Sequence, residues 1–130
     1  MFTRIVGPTF LLLALGLGVI AWGAEMPRSI NSEKDLKTAL KAAKTPEDHA
    51  RIAAYLEAKA DRLDAEAAKY EQAAETYQNG PVVKNIMAPN TAARYDSIAN
   101  GLHGKAHSNR ELAAVHEQMA AVIIASRASK

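Results

Sequence analysis

Cysteine is absent from the 130 residues. That one absence excludes disulfides, thiolate metal centres, lipobox acylation and covalently attached c-type haem. Aromatic residues are scarce, at 5% of the chain. Neither sign of charge dominates. Sixteen basic and 14 acidic residues leave a net +2, which gives no general attraction to nucleic acid or to anionic lipid. There is no HExxH, no phosphate-cradling glycine loop and no distinctive pair of carboxylates. With no nucleophile, base and orienting residue in a recognisable arrangement, the sequence is not that of an enzyme. What is abundant is alanine, mixed with Glu, Lys, Asp and Arg. This is a helical composition with small side chains at helix contacts, and its length suits one domain.

The first residues stand apart. Arg4 is the only charge before Glu25, and an uncharged run extends from Ile5 to Ala24. Ala21-Trp22-Gly23 places small residues at −3 and −1 of a cleavage point before Ala24. Residues 1–23 are read as a secretory signal peptide. The alternative is an uncleaved transmembrane anchor, because the run is long enough to span a bilayer and Trp22 suits an interface. Pro8, Gly7, Gly16 and Gly18 weigh against an anchor. Either reading puts the remainder outside the cytoplasm, periplasmic or secreted in one case and membrane-anchored facing the periplasm in the other. Residues 24–31 are a linker, and 32–128 form the helical domain.

Start and stop signals divide that domain into three helices. Ser32 is a good N-cap with Asp35 at N3, and Leu36, Ala39, Leu40 and Ala43 make one apolar stripe, predicting a helix over about 33–44. Thr45-Pro46-Glu47-Asp48 opens the second, with a cap, proline at N1 and two acids in the first turn. Asn79-Gly80-Pro81 ends it at about 78 through a left-handed cap. Pro89-Asn90-Thr91 opens the third, which runs over about 91–127 although Gly101 and Gly104 weaken it by about 1 kcal/mol each.

Both long helices carry alanine every seven residues. In the second the seam reads His49, Ala53, Leu56, Ala60, Leu63, Ala67, Tyr70, Ala74, Tyr77; in the third, Ala92, Tyr95, Ala99, Leu102, Ala106, Asn109, Ala113, His116, Ala120, Ile123. One small and one large residue per heptad predicts an all-α fold, a tight antiparallel two-helix hairpin in the manner of an alanine-rich coiled coil. A turn centred near 84–85 pairs Tyr70 with Tyr95, Leu63 with Leu102, Leu56 with Asn109, and His49 with His116. It also sets Glu57 near Arg110 and Asp64 near His103, with Glu71 against Asp96 as a repulsive exception. The first helix is expected to pack at the open end of the hairpin, with Leu36 and Leu40 covering Ile52, Leu112, Met119 and Ile123. The connection contains Val82, Val83, Ile86 and Met87, read as folding over Tyr77 and Tyr95, with a docking point as the alternative.

The four histidines carry the sharpest chemical question. His49 and His116 take large-residue seam positions, and Met119 follows His116 by one turn. Two imidazoles and a thioether outside the cytoplasm would suit copper. The plainer reading makes them polar residues at the open end, bonded to each other, to a carboxylate or to water. His103 and His107 share a helical face at i and i+4, a workable metal pair with Glu111 on the same face and Asp64 across from it. Their plainer reading is an adventitious surface site. Asn109 is read as a register-setting polar residue. A b-type haem held by His49 with His116 or Met119 is excluded by the alanine seam, which leaves no room for a macrocycle.

The stretches TPEDHARIAAYLEAKADRLDAEAAKYEQAAETYQNG and ELAAVHEQMA resemble a group of uncharacterised small exported bacterial alanine-rich helical-hairpin proteins. The likeness covers about residues 45–120 through TPxDH, I-A-x-Y, the seven-residue alanines and HxxMA. It implies an exported hairpin and transfers no activity or functional residue. The function expected is therefore that of a cell-envelope protein acting by protein contact, with an unknown protein or a second copy as partner, or as a small accessory subunit. A copper-binding protein is the alternative. Membrane contact is expected only through an uncleaved N-terminal segment.

Overall fold

A computed structural model describes residues 25–80 and 88–130. The N-terminal export or anchor segment, and the apolar connection from Val82 to Met87, lie outside the described residues. The architecture is all-helical: α1 spans Glu33–Ala42, α2 spans Pro46–Asn79 and α3 spans Ala88–Ala128. No helix among the described residues is long and apolar enough to cross a membrane.

The start of α2 is built by a reciprocal cap. Thr45 Oγ1 accepts from the Asp48 N–H at 3.1 Å, and Asp48 Oδ2 accepts from the N–H groups of Lys44 and Thr45, each at 3.1 Å. These three carboxylate and hydroxyl contacts satisfy donors that a helix start leaves open. They also explain why α1 stops at Ala42, two residues short of the expected end. Ala43 is extended at φ −60°, ψ 124°, and the next two N–H groups are already taken by Asp48. The opening of α1 follows the expected pattern, with Ser32 Oγ accepting from Asp35 N–H at 3.1 Å.

Two other helix ends differ from expectation. No described residue has a positive φ, so α2 does not close through a left-handed cap. Gly80 is extended (φ −81°, ψ 167°) and its N–H bonds Thr76 O at 2.9 Å. A Cβ at Gly80 would lie 2.4 Å from that carbonyl oxygen, so close approach, not handedness, favours glycine there. At the other side of the connection α3 begins at Ala88, three residues early. Pro89 then lies in the first turn, where its missing N–H costs nothing.

α2 and α3 pack antiparallel along their lengths. His49 meets His116 and Tyr70 meets Tyr95, with ring centroids 5.2 and 6.0 Å apart. The same register sets Ala53, Ala60, Ala67 and Ala74 opposite Ala113, Ala106, Ala99 and Ala92, and all eight are buried. Methyl groups at every seventh position allow the two backbones to approach closely. Ile52 is the largest side chain that is fully buried.

The placement of α1 holds for Leu36 and is corrected for Leu40. It lies along the flank of the first third of α2, where Leu36 covers Ile52 as expected, and not over the α3 residues Leu112 and Met119. Leu36 and Ala39 join Ile52, Ala53, Leu56 and Ala113 in one buried cluster, with Met26, Ile30 and Tyr55 at its edge. Lys59 pairs with Glu33, which fixes the start of α1 against the middle of α2. Leu40 is 48% exposed, and Leu112 and Met119 are also exposed. The physical reason is the short Ala43–Lys44 link. With Asp48 holding Lys44 and Thr45, the chain reverses tightly and α1 folds back beside α2. The linker is not free either. Arg51 donates to the carbonyls of Pro27 and Arg28 at 3.0 and 3.2 Å, tying that stretch to α2.

Candidate functional site

The open end of the hairpin is where α2 begins and α3 runs on. In the observed register the start of α2 lies opposite Met119, so α3 continues for about nine residues, roughly 13 Å at 1.5 Å per residue. His49 stands in the first turn of α2, positioned by the Thr45–Asp48 cap. His116 stands opposite on α3 at 8% exposure, the one buried polar or charged residue among those described.

The Nδ1 atoms of His49 and His116 are 2.9 Å apart. One Nδ1–H therefore donates to the other ring's Nδ1 lone pair. Burial, and then the charge of His49, hold His116 below the ordinary histidine pKa. The pair accommodates one shared hydrogen but not two imidazolium ions. No carboxylate among the described residues bonds either ring: Glu47 and Glu117 are exposed. Beside the pair lies an open cavity of about 420 Å³, lined by His49, Met119, Gln118, Val115, Val122 and Ile123. Met119 thus shares a cavity with His49, one helical turn beyond His116.

His103 and His107 are not brought into one constellation. His103 Nδ1 is 2.6 Å from Asp64 Oδ1 and its Nε2 is 3.0 Å from Glu71 Oε1. Both ring nitrogens face carboxylates, an arrangement that favours the imidazolium, and Asp64 followed by Glu71 raises its pKa. Neither nitrogen keeps a lone pair for a metal. His107 points to solvent and pairs with Glu111 at 3.3 Å on its own helix. Among the described residues no group of three His, Cys, Asp or Glu side chains is placed to hold a metal ion.

Asp64 belongs to a larger inter-helix network. Arg110 Nη1 bonds Asp64 Oδ2 at 2.6 Å, and its Nη2 bonds Asp61 Oδ1 at 2.9 Å, with Glu57 3.8 Å away. The shared partners His103 and Arg110 lower the Asp64 pKa. The expected repulsion between Glu71 and Asp96 does not arise. Glu71 turns to His103, and Asp96 accepts from Gln78 Nε2 at 3.2 Å. Asn109 bonds Lys105 O of its own helix at 2.7 Å and makes no bond across the seam. Sequence reasoning missed Arg51 as the residue that docks the linker. Contacts 23 and 24 residues apart leave no periodic trace, so only the fold reveals them.

A wider cavity of about 750 Å³ opens near Arg28, Arg51, Tyr55 and Arg62. Two of its cations are engaged with other partners: Arg51 with Asp48 and two carbonyls, Arg62 with Ala58 O at 3.2 Å. The last turns of α3 present a different surface. Leu112, Val115, Met119, Val122 and Ile124 are all exposed, with Val122 at 68%.

No protein-family model, no curated protein and no solved structure matches this chain.

Proposed function

We propose that the chain is an exported cell-envelope protein, a helical hairpin of the alanine coiled-coil type, that acts by contact with another protein. The observation that carries this reading is the apolar face on the C-terminal part of α3. Leu112, Val115, Met119 and Val122 recur at three- and four-residue steps, share one side of the helix, and are exposed. A soluble chain rarely leaves such a stripe in water without a use for it. The export location is supported by Arg4 and the uncharged run that follows it.

The test is site-specific photocrosslinking in the source cell, with benzoylphenylalanine at Val122 and, as control, at Ala65 on an exposed face of α2. A discrete adduct from position 122 alone is the expected result. No adduct, or the same adducts from both positions, overturns the contact reading.

A second reading, a metal-binding protein of the envelope, is favoured by one specific observation. His49 and His116, 67 positions apart in sequence, present the same ring nitrogen to each other at 2.9 Å.

A further inference from the structure

We infer that His49 Nδ1, His116 Nδ1 and the thioether of Met119 bind one monovalent copper ion at the open end of the hairpin. The inference rests on the metal-binding reading and narrows it to one ion and three donors.

Distance is the first argument. Two imidazole nitrogens on one ion, each about 2.0–2.1 Å from it at near-tetrahedral angles, lie about 3.3 Å from each other. The two Nδ1 atoms are already 2.9 Å apart. The rings need separate by only about half an ångström to admit an ion between them. His49 is in the first turn of its helix and is only half-buried.

The donor set is the second argument. No group of three His, Cys, Asp or Glu side chains among the described residues is placed to hold a metal ion, so a third donor has to be of another type. Met119 is one turn from His116 and lines the same cavity as His49. Its sulfur is soft and neutral, as Cu(I) prefers. Of the remaining walls, Val115, Val122 and Ile123 are apolar and Gln118 is an uncharged amide. Three neutral donors within uncharged walls tolerate a single positive charge better than a double one, because no carboxylate lines the cavity to offset it. The other histidine pair does not compete, since both nitrogens of His103 are bonded to carboxylates.

The proton balance is simple. Without the ion, one ring carries hydrogen on Nδ1 and the other accepts it. On binding, both Nδ1 lone pairs go to copper, and the displaced hydrogen is replaced by one on Nε2 of the same ring. Two neutral imidazoles remain neutral, so above the histidine range binding releases no net proton.

The experiment is anaerobic competition for Cu(I) against the chromophoric chelator bicinchoninate, using the full chain in mild detergent. Zn(II) and Co(II) are titrated in parallel, and the Cu(I) form is examined by X-ray absorption. The variants are Met119→Leu, His49→Gln and His116→Gln. Met119 is exposed, so Met119→Leu keeps the fold and remains informative even if a histidine variant unfolds. The expected result is one Cu(I) withdrawn per chain, with nitrogen and sulfur scatterers. Met119→Leu should weaken binding at least tenfold and remove the sulfur signal, and either histidine change should abolish binding. Cu(I) binding unchanged in Met119→Leu overturns the donor assignment. Zn(II) or Co(II) bound through the histidines, with Cu(I) left on the chelator, overturns the copper inference and leaves the metal-binding reading standing. No metal bound at all overturns both.

Discussion

Replacing Asp48 by asparagine tests whether the junction of α1 and α2 organises the open end. Asp48 accepts from Lys44 N–H, Thr45 N–H and Arg51 Nη2 at 3.0–3.1 Å. These contacts, led by the Lys44 backbone bond, take its pKa from 3.8 down to about 2. A difference of that size corresponds to about 2 kcal/mol of folding free energy. Asparagine keeps one acceptor oxygen and loses the charge, so Asp48→Asn should cost about 1–2 kcal/mol at pH 7. For a domain of this size that lowers Tm by roughly 5–12 °C. The pH dependence follows from the sign. The folded-state pKa is depressed, so the contribution is present above pH 3.8 and is lost as pH falls through about 2. The Tm gap between wild type and Asp48→Asn, followed by circular dichroism from pH 7 to pH 2, should be constant to about pH 5 and then close. Thr45→Ala removes a neutral acceptor; it should cost about 1 kcal/mol at every pH. A gap that persists unchanged at pH 2, or none at pH 7, would refute the assignment of Asp48 as the charged half of the cap.

Other predictions follow from the seam and the network. Ala106→Leu, at a site with no exposure, should destabilise by about 1–3 kcal/mol through overpacking, whereas Ala65→Leu on an exposed face should stay within about 0.5 kcal/mol; chemical denaturation of the pair checks this. The imidazoles of His103 and His116 should titrate on opposite sides of 6.5, with His103 above and His116 below, as read from their ring-proton NMR shifts. The stability that His103 adds is full below pH 6.5 and is lost as pH rises through its raised value; that linked to His116 is present above pH 6.5 and is lost as pH falls through its depressed value. Coincident midpoints would contradict the separate environments. Arg110→Met should leave the urea unfolding midpoint close to that of wild type, because Arg110 and its acidic partners are partly exposed; a clear drop in the midpoint would make the network a main source of stability.

The hairpin and its register were legible because one repeat governs both helices. Alanine at every seventh position marks the buried seam, and the length of the connection then sets which residues face each other. That sufficed for Tyr70 with Tyr95, Asp64 with His103, and His49 with His116. What periodicity cannot carry is the position of a short helix joined by a tight link. Leu40 fits the apolar stripe of α1 as well as Leu36 does, yet only Leu36 is buried, because Asp48 sets the angle at which α1 turns back. The second ring partner was equally hidden. Spacing puts His103 and His107 on one face and the register supplies Asp64, but Glu71, expected against Asp96, also comes from the other helix to His103 and leaves His107 aside.

The same alanine seam that makes the fold legible also restricts where function can reside. Methyl groups fill the space between α2 and α3 from Ala53 to Ala74, and nothing larger than Ile52 is fully buried. Such an interior has no volume for a substrate or a macrocycle, so binding falls to the rims and outer faces. At the open end three features coincide. The seam's large position becomes a histidine pair in place of leucine or tyrosine, α3 loses its neighbour, and the apolar residues around Met119 stay uncovered. A partner seated on Val115, Met119 and Val122 would cover the cavity beside His49. The contact reading and the copper inference therefore concern one place, and they make a joint prediction. Loading the site with Cu(I) should change the yield of the Val122 crosslink, while replacing Arg110, 12 residues before Val122 in the sequence and so about 18 Å along α3 at about 1.5 Å per residue, should leave that yield unaltered.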